Sequence, residues 1–571
     1  MFVSGQRTVI VLTDCLTEQL IIIRSPSRQL SEPVLDVSSA QFRVRSGWQQ
    51  TRLVMLGLFL VVSFISLASS ELGMFSLPSP WSYSCDSSNT SHLVTTHVVP
   101  YRCVRLPSSS ASVVQGLAAC KMTCDPRGTL WPSPTLETRL SQELLHFLPQ
   151  QLKVVSVVSP SEEVSNMVNR FADIFKEYLY LAHPDYEGEY KNPFSESPFT
   201  RDGSVSVTIK VESEDLSLTT DTDESYELTV SPGETQSDLA VLISANTYYG
   251  ARHGMETLGQ MITYDDLSDT LQIYRSAQVK DRPSFSHRGV LVDTSRNFMT
   301  VSVIKQIIRG LSYEKLNVFH WHITDTHSFP LYSRRVPQLT LHGAYSPRKV
   351  YTPKDIREIV DYAKVRGVRV LPEFDAPAHV GNGWQFGESS GLGRLAVCVN
   401  QEPWQDYCVE PPCGQINPVN QNVYPVLGKL YQDFFELFDI SMFHMGGDEV
   451  NLNCWNTTEE VRQHLEARGQ AGTESELLGL WEEFQNKAAQ KVYEAAGKKV
   501  PIILWTNSLT EKGRVEQYLS NEDYVIQIWT TGKDEIIKEL LDKNYKVIFS
   551  NYDAWYLGKS DEGKKIFNSL L

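Results

Sequence analysis

The sequence has 571 residues, with 68 acidic against 52 basic side chains, a formal charge of −16, and 41% hydrophobic and 21% charged residues. These are globular values, so wholesale disorder and collagen-like or coiled-coil architectures are excluded. The acidic balance, without any block of five or more basic residues, gives no footprint for nucleic acid. At roughly 150 residues per domain the length predicts three or four domains, or two if one is a large barrel.

Residues 1–70 read as an N-terminal extension carrying an export segment. Leu53 to Ser69 (LVMLGLFLVVSFISLAS) holds no charge, follows Arg43, Arg45 and Arg52, and ends in the small residues Ala68 and Ser69, with Ser70 next. Its seventeen residues suit a signal-peptide core better than a membrane span, which needs about twenty. The expected location is the secretory pathway, extracellular or lysosomal; a membrane form follows only if residues 53–69 stay as a signal anchor. Two sequons, at Asn89 and Asn456, are candidate glycosylation sites on that route. Of nine cysteines, eight fall in two groups, Cys85, Cys103, Cys120 and Cys124, then Cys398, Cys408, Cys413 and Cys454. Even counts on an export route predict disulfides, with the pairing left open.

Residues 71–140, rich in Ser, Pro and Cys, read as a stapled entry region. Residues 141–285 read as a small α+β domain. There Val205–Val211 alternates like a half-buried strand, Ser225–Val230 resembles a second, and residues 245–262 form a helix. From residue 286 to 571, short apolar strands alternate with amphipathic helices. The strands are expected at 289–293, 317–323, 368–374, 442–447, 501–505, 524–529 and 546–550, with helices such as 302–311, 353–366, 424–438 and 474–496 between them. Repeated β-α units imply parallel strands, and seven of them approach a (β/α)8 TIM barrel of class α/β. Such barrels gather their chemistry at the C-terminal strand ends. At those ends stand Asp293 to Arg296, Thr324-Asp325, Glu373-Phe374-Asp375, Asp448-Glu449, Trp505 and Trp529.

His444-Met445-Gly446-Gly447-Asp448-Glu449 is the sharpest motif. Two glycines let backbone and ligand approach closely, and adjacent carboxylates raise one another's pKa, as a general acid requires. Asp325 and His379 are candidates for a carboxylate that orients an imidazole, which in turn tunes another acid. Trp404, Trp505, Trp529 and Tyr556 offer flat rings for a pyranose face. A metal-hydrolase reading of His320-Trp321-His322 lacks further ligands, because no histidine follows His464.

At these residues the chain resembles glycoside hydrolase family 20, and within it the insect chitooligosaccharide-degrading β-N-acetylhexosaminidases. The carrying motifs are RGVLVDTSRN (288–297), NVFHWHITD (317–325), RVLPEFDAPAHVGNGW (369–384), EPWQDYCVEPPCGQINP (402–418), FHMGGDEV (443–450) and IILWT (502–506). The resemblance implies an α+β domain followed by a TIM barrel. It implies retaining, substrate-assisted removal of terminal β-linked N-acetylglucosamine or N-acetylgalactosamine from chitooligosaccharides or N-glycans, through an oxazolinium. This family is among the exceptions to the two-carboxylate scheme. It casts Glu449 as general acid, Asp448 as partner of the acetamido N–H, and Tyr556 as partner of the acetamido carbonyl. Arg296 would bind the 3- and 4-hydroxyls, and the Asp325–His379 dyad would tune Glu449. Trp505 and Trp529 would wall the −1 pocket, while Trp404, Val409 and Glu410 would meet the next sugar. No metal or organic cofactor is implied; the implied partners are an oligosaccharide and a second copy in a homodimer.

The match stops after Tyr556, where Gly558 replaces an expected Asp and a polar tail follows to Leu571. The expectation is a barrel truncated at its C-terminus, lacking the eighth β-α unit and leaving the first and seventh strands with open edges. A catalytically inactive fragment with at most sugar binding is the alternative function.

Overall fold

The computed structural model describes residues 8–9, 81–86, 101–111, 114–184 and 203–556. The segment at 53–69, the sequon at Asn89 and the tail from residue 557 lie outside the described residues. Among the described residues no helix is long and apolar enough to cross a membrane.

The first layer is a six-stranded mixed sheet. Its spatial order is Glu137–Leu140, Ala277–Asp281, Tyr226–Pro232, Leu239–Ala245, Val205–Val211, Leu152–Val158. One edge strand therefore comes from the end of the cysteine-rich region. Alternation in Val205–Val211 buries Val205, Val207, Ile209 and Val211, and Leu239, Val241 and Ile243 do the same next door. Two helices, Glu162–Ala182 and Tyr248–Gln260, pack on this apolar face. Disulfides Cys85–Cys124 and Cys103–Cys120 staple the entry hairpin to its helix.

The second layer holds seven parallel strands that neighbour one another in chain order: Gly289–Asp293, Val318–Thr324, Arg369–Phe374, Phe443–His444, Ile502–Trp505, Tyr524–Ile528 and Lys546–Phe549. They fall within two residues of the expected bounds, except the fourth, which is shorter because its chain turns out of the ladder toward Gly446. Helices Val301–Tyr313, Pro353–Val365, Val423–Leu437 and Glu474–Ala496 cover the outside. The longest, Glu474–Ala496, starts in a capping box between Thr473 and Glu476 and stops at Gly497 in the left-handed conformation. The second strand is buried at all seven positions, as a strand covered on both faces must be. The open first edge expected from the sequence is covered only in part: Thr8–Val9 pairs antiparallel with Val292 and Leu291, two of that strand's five residues.

The two layers meet through a buried polar network. Glu224 accepts from Arg288 at 2.8 and 3.0 Å and from Asn317 Nδ2 at 3.0 Å, and it faces His253 Nε2 at 2.9 Å. Burial pushes the Glu224 carboxyl up, but His253 and Arg288 win and hold it at about 2. A group with a depressed folded pKa adds stability above its unfolded pKa and loses it as pH falls through the folded value. Glu224→Gln is therefore expected to cost about 3 kcal/mol at pH 7. In chemical-denaturant titrations that deficit should shrink steadily from pH 4.5 toward pH 2.

Candidate active site

Parallel strands deliver their C-terminal ends to one face, and the candidate residues arrive there together. Asp293 ends the first strand, Asp325 follows the second, Asp375 the third, Trp505 ends the fifth and Trp529 follows the sixth. After the fourth strand, Met445 leads into Gly446 and Gly447, then Asp448 and Glu449. Gly446 and Gly447 both have positive φ, at 64° and 86°. A Cβ on Gly446 would lie 1.9 Å from Asp375 Oδ1, so no side chain fits there. The Gly447 N–H donates to that same oxygen at 2.8 Å, and Asn507 Nδ2 donates to the Gly447 carbonyl at 2.7 Å. The turn carrying the acid pair is thus clamped from the third and fifth strands.

Behind Glu449 stands the dyad expected from the sequence. His379 Nε2 lies 3.3 Å from Glu449 Oε2, and its Nδ1 lies 3.2 Å from Asp325 Oδ2. Both His379 (φ 58°) and Glu449 (φ 55°) hold left-handed backbone, which costs a side-chain-bearing residue on the order of 1–3 kcal/mol and clusters at functional sites. Asp325 Oδ2 also meets Arg296 Nη2 at 3.1 Å and His322 Nε2 at 3.2 Å, while Oδ1 meets His327 Nδ1 at 3.1 Å. Burial alone would push Asp325 up; Arg296 and His379 hold it well below the usual carboxylate range. Burial alone would lower His379; Asp375, Asp325 and Asp448 push it well above the ordinary imidazole value. At neutral pH the dyad is an ion pair, imidazolium on carboxylate.

Arg296 is fixed by Asp293 Oδ2 at 2.7 Å as well as by Asp325. Trp505 is only 1% exposed and donates its indole N–H to Glu373 Oε1 at 2.7 Å. It packs with Leu291 and the half-buried Trp529, Trp555 and Tyr556, while Trp529 donates to the Thr506 carbonyl at 2.7 Å. Trp404, half-buried, opens a short turn in a loop closed by Cys408–Cys413. Cys398–Cys454, Gln415 Nε2 to the Asn451 carbonyl at 3.1 Å, and Asn453 Nδ2 to the Asp406 carbonyl at 2.9 Å tie that loop to the segment just after Glu449. Val409 is 54% exposed on it and Glu410 half-exposed.

Beneath the site lies a second set of groups to which sequence reasoning gave no role. Glu373 Oε2 contacts His320 Nε2 at 2.7 Å and His322 Nδ1 at 3.3 Å, so the H-x-H pair does face one side, toward a carboxylate. Burial pushes Glu373 up, yet the imidazoles around it hold it well below its ordinary value. His444 Nδ1 accepts from the Gly446 N–H at 3.0 Å, and its Nε2 faces Gln527 Oε1 at 3.1 Å. Burial lowers it to about 3, so it is neutral with its proton on Nε2. Asp375 was visible only as one letter of the strand-end motif EFD; its contacts cross the barrel and leave no local signal.

Among the described residues of the barrel, potential metal-ligating atoms of three sets lie within 4.8 Å of one another: His320, Glu373 and His444; His322, Glu373 and Asp375; Asp375, His379 and Asp448. Both sets built on Glu373 are knitted into the contacts just described.

Such a barrel, with paired acids and an imidazole–carboxylate relay at its strand ends, defines a hydrolase of the glycosidase type. The family profile described as glycosyl hydrolase family 20, catalytic domain, matches residues 285–569, and one described as beta-acetyl hexosaminidase like matches residues 130–261. A Bombyx mori protein named chitooligosaccharidolytic beta-N-acetylglucosaminidase is 43% identical over 462 residues, covering 80% of this chain and 74% of that protein. The Ostrinia furnacalis protein of the same name is 41% identical over 480 residues, covering 83% and 76%. The Flavobacterium johnsoniae chitobiase structure superposes with a TM-score of 0.57 at 23% identity. That superposition covers 77% of this chain and 64% of that one, and it shows the shared fold. The chain belongs to glycosyl hydrolase family 20.

Gly446→Ala should drive a methyl group into Asp375 and strain a left-handed position. The expected outcome is a melting temperature lowered by several degrees together with loss of any hydrolytic activity. A variant as stable and active as the parent would refute the clamp.

Proposed function

We propose that this protein is a β-N-acetylhexosaminidase that removes terminal β-linked N-acetylhexosamine from chitooligosaccharides, with N-glycan ends as a second substrate class. The observation that carries the reading is Glu449 placed 3.3 Å from His379, with Asp325 behind and Asp448 beside it. The names of the two insect relatives support the substrate class.

The proposed route is substrate-assisted. Arg296, its guanidinium held by Asp293 and Asp325, binds the sugar's 3- and 4-hydroxyls, and Trp505 and Trp529 back the ring. Tyr556 donates to the acetamido carbonyl and Asp448 accepts from the acetamido N–H, which stabilises the positive charge that develops on that group. The acetamido oxygen bonds to the anomeric carbon while the bond to the leaving oxygen breaks, and Glu449 protonates that oxygen. Glu449 then takes a proton from water, whose oxygen bonds to the anomeric carbon from the face the leaving group vacated while the bond to the acetamido oxygen breaks, which restores the β configuration. Trp404, Val409 and Glu410 contact the next sugar. The four disulfides support an oxidising, secretory compartment, and Asn456, exposed on the helix Leu452–Thr457, is the glycan acceptor within the described residues.

Glu449→Gln is expected to lower kcat on an aryl β-N-acetylglucosaminide by about 10²–10⁴, the range for losing a general acid–base. Retained turnover refutes the acid assignment. Tyr556→Phe should lower kcat more than it raises KM; an effect confined to KM would contradict its orienting role. Proton NMR during hydrolysis should show the β anomer first, and an initial α anomer would overturn the retaining route.

A further inference from the structure

Carboxyl groups crowd the imidazole of His379. Three point toward His379 Nε2: Glu449 Oε2 at 3.3 Å, Asp448 Oδ1 at 3.8 Å and Asp375 Oδ2 at 3.9 Å. An imidazolium has two N–H groups, and the one on Nδ1 is committed to Asp325. The remaining N–H serves one acid at most, and Glu449 is nearest. Asp375 is fully buried; its Oδ1 takes the Gly447 N–H, and its Oδ2 has no hydrogen-bond partner among the described residues. An ionised oxygen left without a donor in a closed site is far costlier than a neutral hydroxyl there. The charged and titratable groups facing Asp375 are Asp448 from the fourth-strand turn, Glu373 and His379 from its own segment, and His322 from the second strand. Burial first, then Asp448, push its carboxyl well above the usual carboxylate range.

We propose that Asp375 is a positioning residue that keeps its proton in the resting site, so that a neutral carboxyl group holds the Gly446–Gly447 turn and presents Asp448 to the substrate. It touches no substrate itself. Its Oδ1 fixes the turn through Gly447, while its proton removes one negative charge from a cluster that already contains Asp448, Glu449 and Asp325. The kinetic half of this inference rests on the hexosaminidase reading; the protonation half does not.

The test uses the full chain and two variants, Asp375→Ala and Asp375→Asn. Asparagine keeps the acceptor for the Gly447 N–H and stays neutral at every pH. Asp375→Ala frees the turn and should lower kcat by about 10²-fold, the usual penalty for misplacing a reacting group by 1 Å. Asp375→Asn should restore most of that loss and move the alkaline limb of the rate profile to higher pH, because no proton remains to be lost there. A folded Asp375→Asn as impaired as Asp375→Ala, or one with an unmoved alkaline limb, overturns the proposal. Infrared difference spectroscopy supplies a readout independent of turnover: because Glu449 as general acid contributes a protonated band of its own, the parent-minus-Asp375→Asn difference at pH 7 should show the carbonyl stretch of one further protonated carboxyl group. A difference spectrum without that band also overturns the proposal. Absence of turnover in a parent that shows the band would instead refute the hexosaminidase reading.

Discussion

Asp325 takes four partners, Arg296, His322, His379 and His327, through two oxygens in a site almost closed to water. Each partner comes to it along a different stretch of the barrel's first three β-α units. A buried carboxylate with that many donors stays ionised, and an ionised Asp325 keeps His379 charged and oriented toward Glu449. The geometry of the candidate acid therefore depends on a residue that does not itself touch it.

The strands enforce this arrangement cheaply because parallel register brings all their C-terminal ends to one rim. What the register cannot do is pack a loop against a buried acid, and here the glycines act. Gly446 leaves room for Asp375, and Gly447 supplies the N–H that the carboxyl oxygen needs. Beneath them Glu373 gathers His320, His322 and the Trp505 indole into a polar floor in which donors and acceptors are matched. Such networks are stabilising only when satisfied throughout, so the floor fixes the rim above it.

The α+β layer contributes rigidity. Its helix Tyr248–Gln260 carries Arg252, His253 and Glu256 into the junction, where Arg252 donates to Glu256 at 2.7 Å and also meets Ser312 at the end of the first barrel helix. Lys315, buried at the same junction, donates to Tyr226 at 2.9 Å and Thr257 at 2.7 Å. Charged groups removed from water and paired across a seam resist sliding, because any shift leaves one of them unpaired.

Sequence by itself determined the periodicities: a two-residue alternation in Val205–Val211, continuous apolar strands from Gly289 onward, and amphipathic helices between them. It also marked Asp448, Glu449, Asp325, His379 and Arg296, since each sits in a short motif at a strand end. These features are local, and local chemistry is legible in a string of letters. Cysteine pairing, the tautomer of His444, the role of Glu373 as a floor and the Asp375–Gly446 contact were decided only by tertiary structure. Asp375 and Gly446 are 71 positions apart, and their fit depends on two strands standing about 5 Å from one another. The proton count of the cluster follows from that proximity, because which carboxyl ionises depends on how many donors reach it in space.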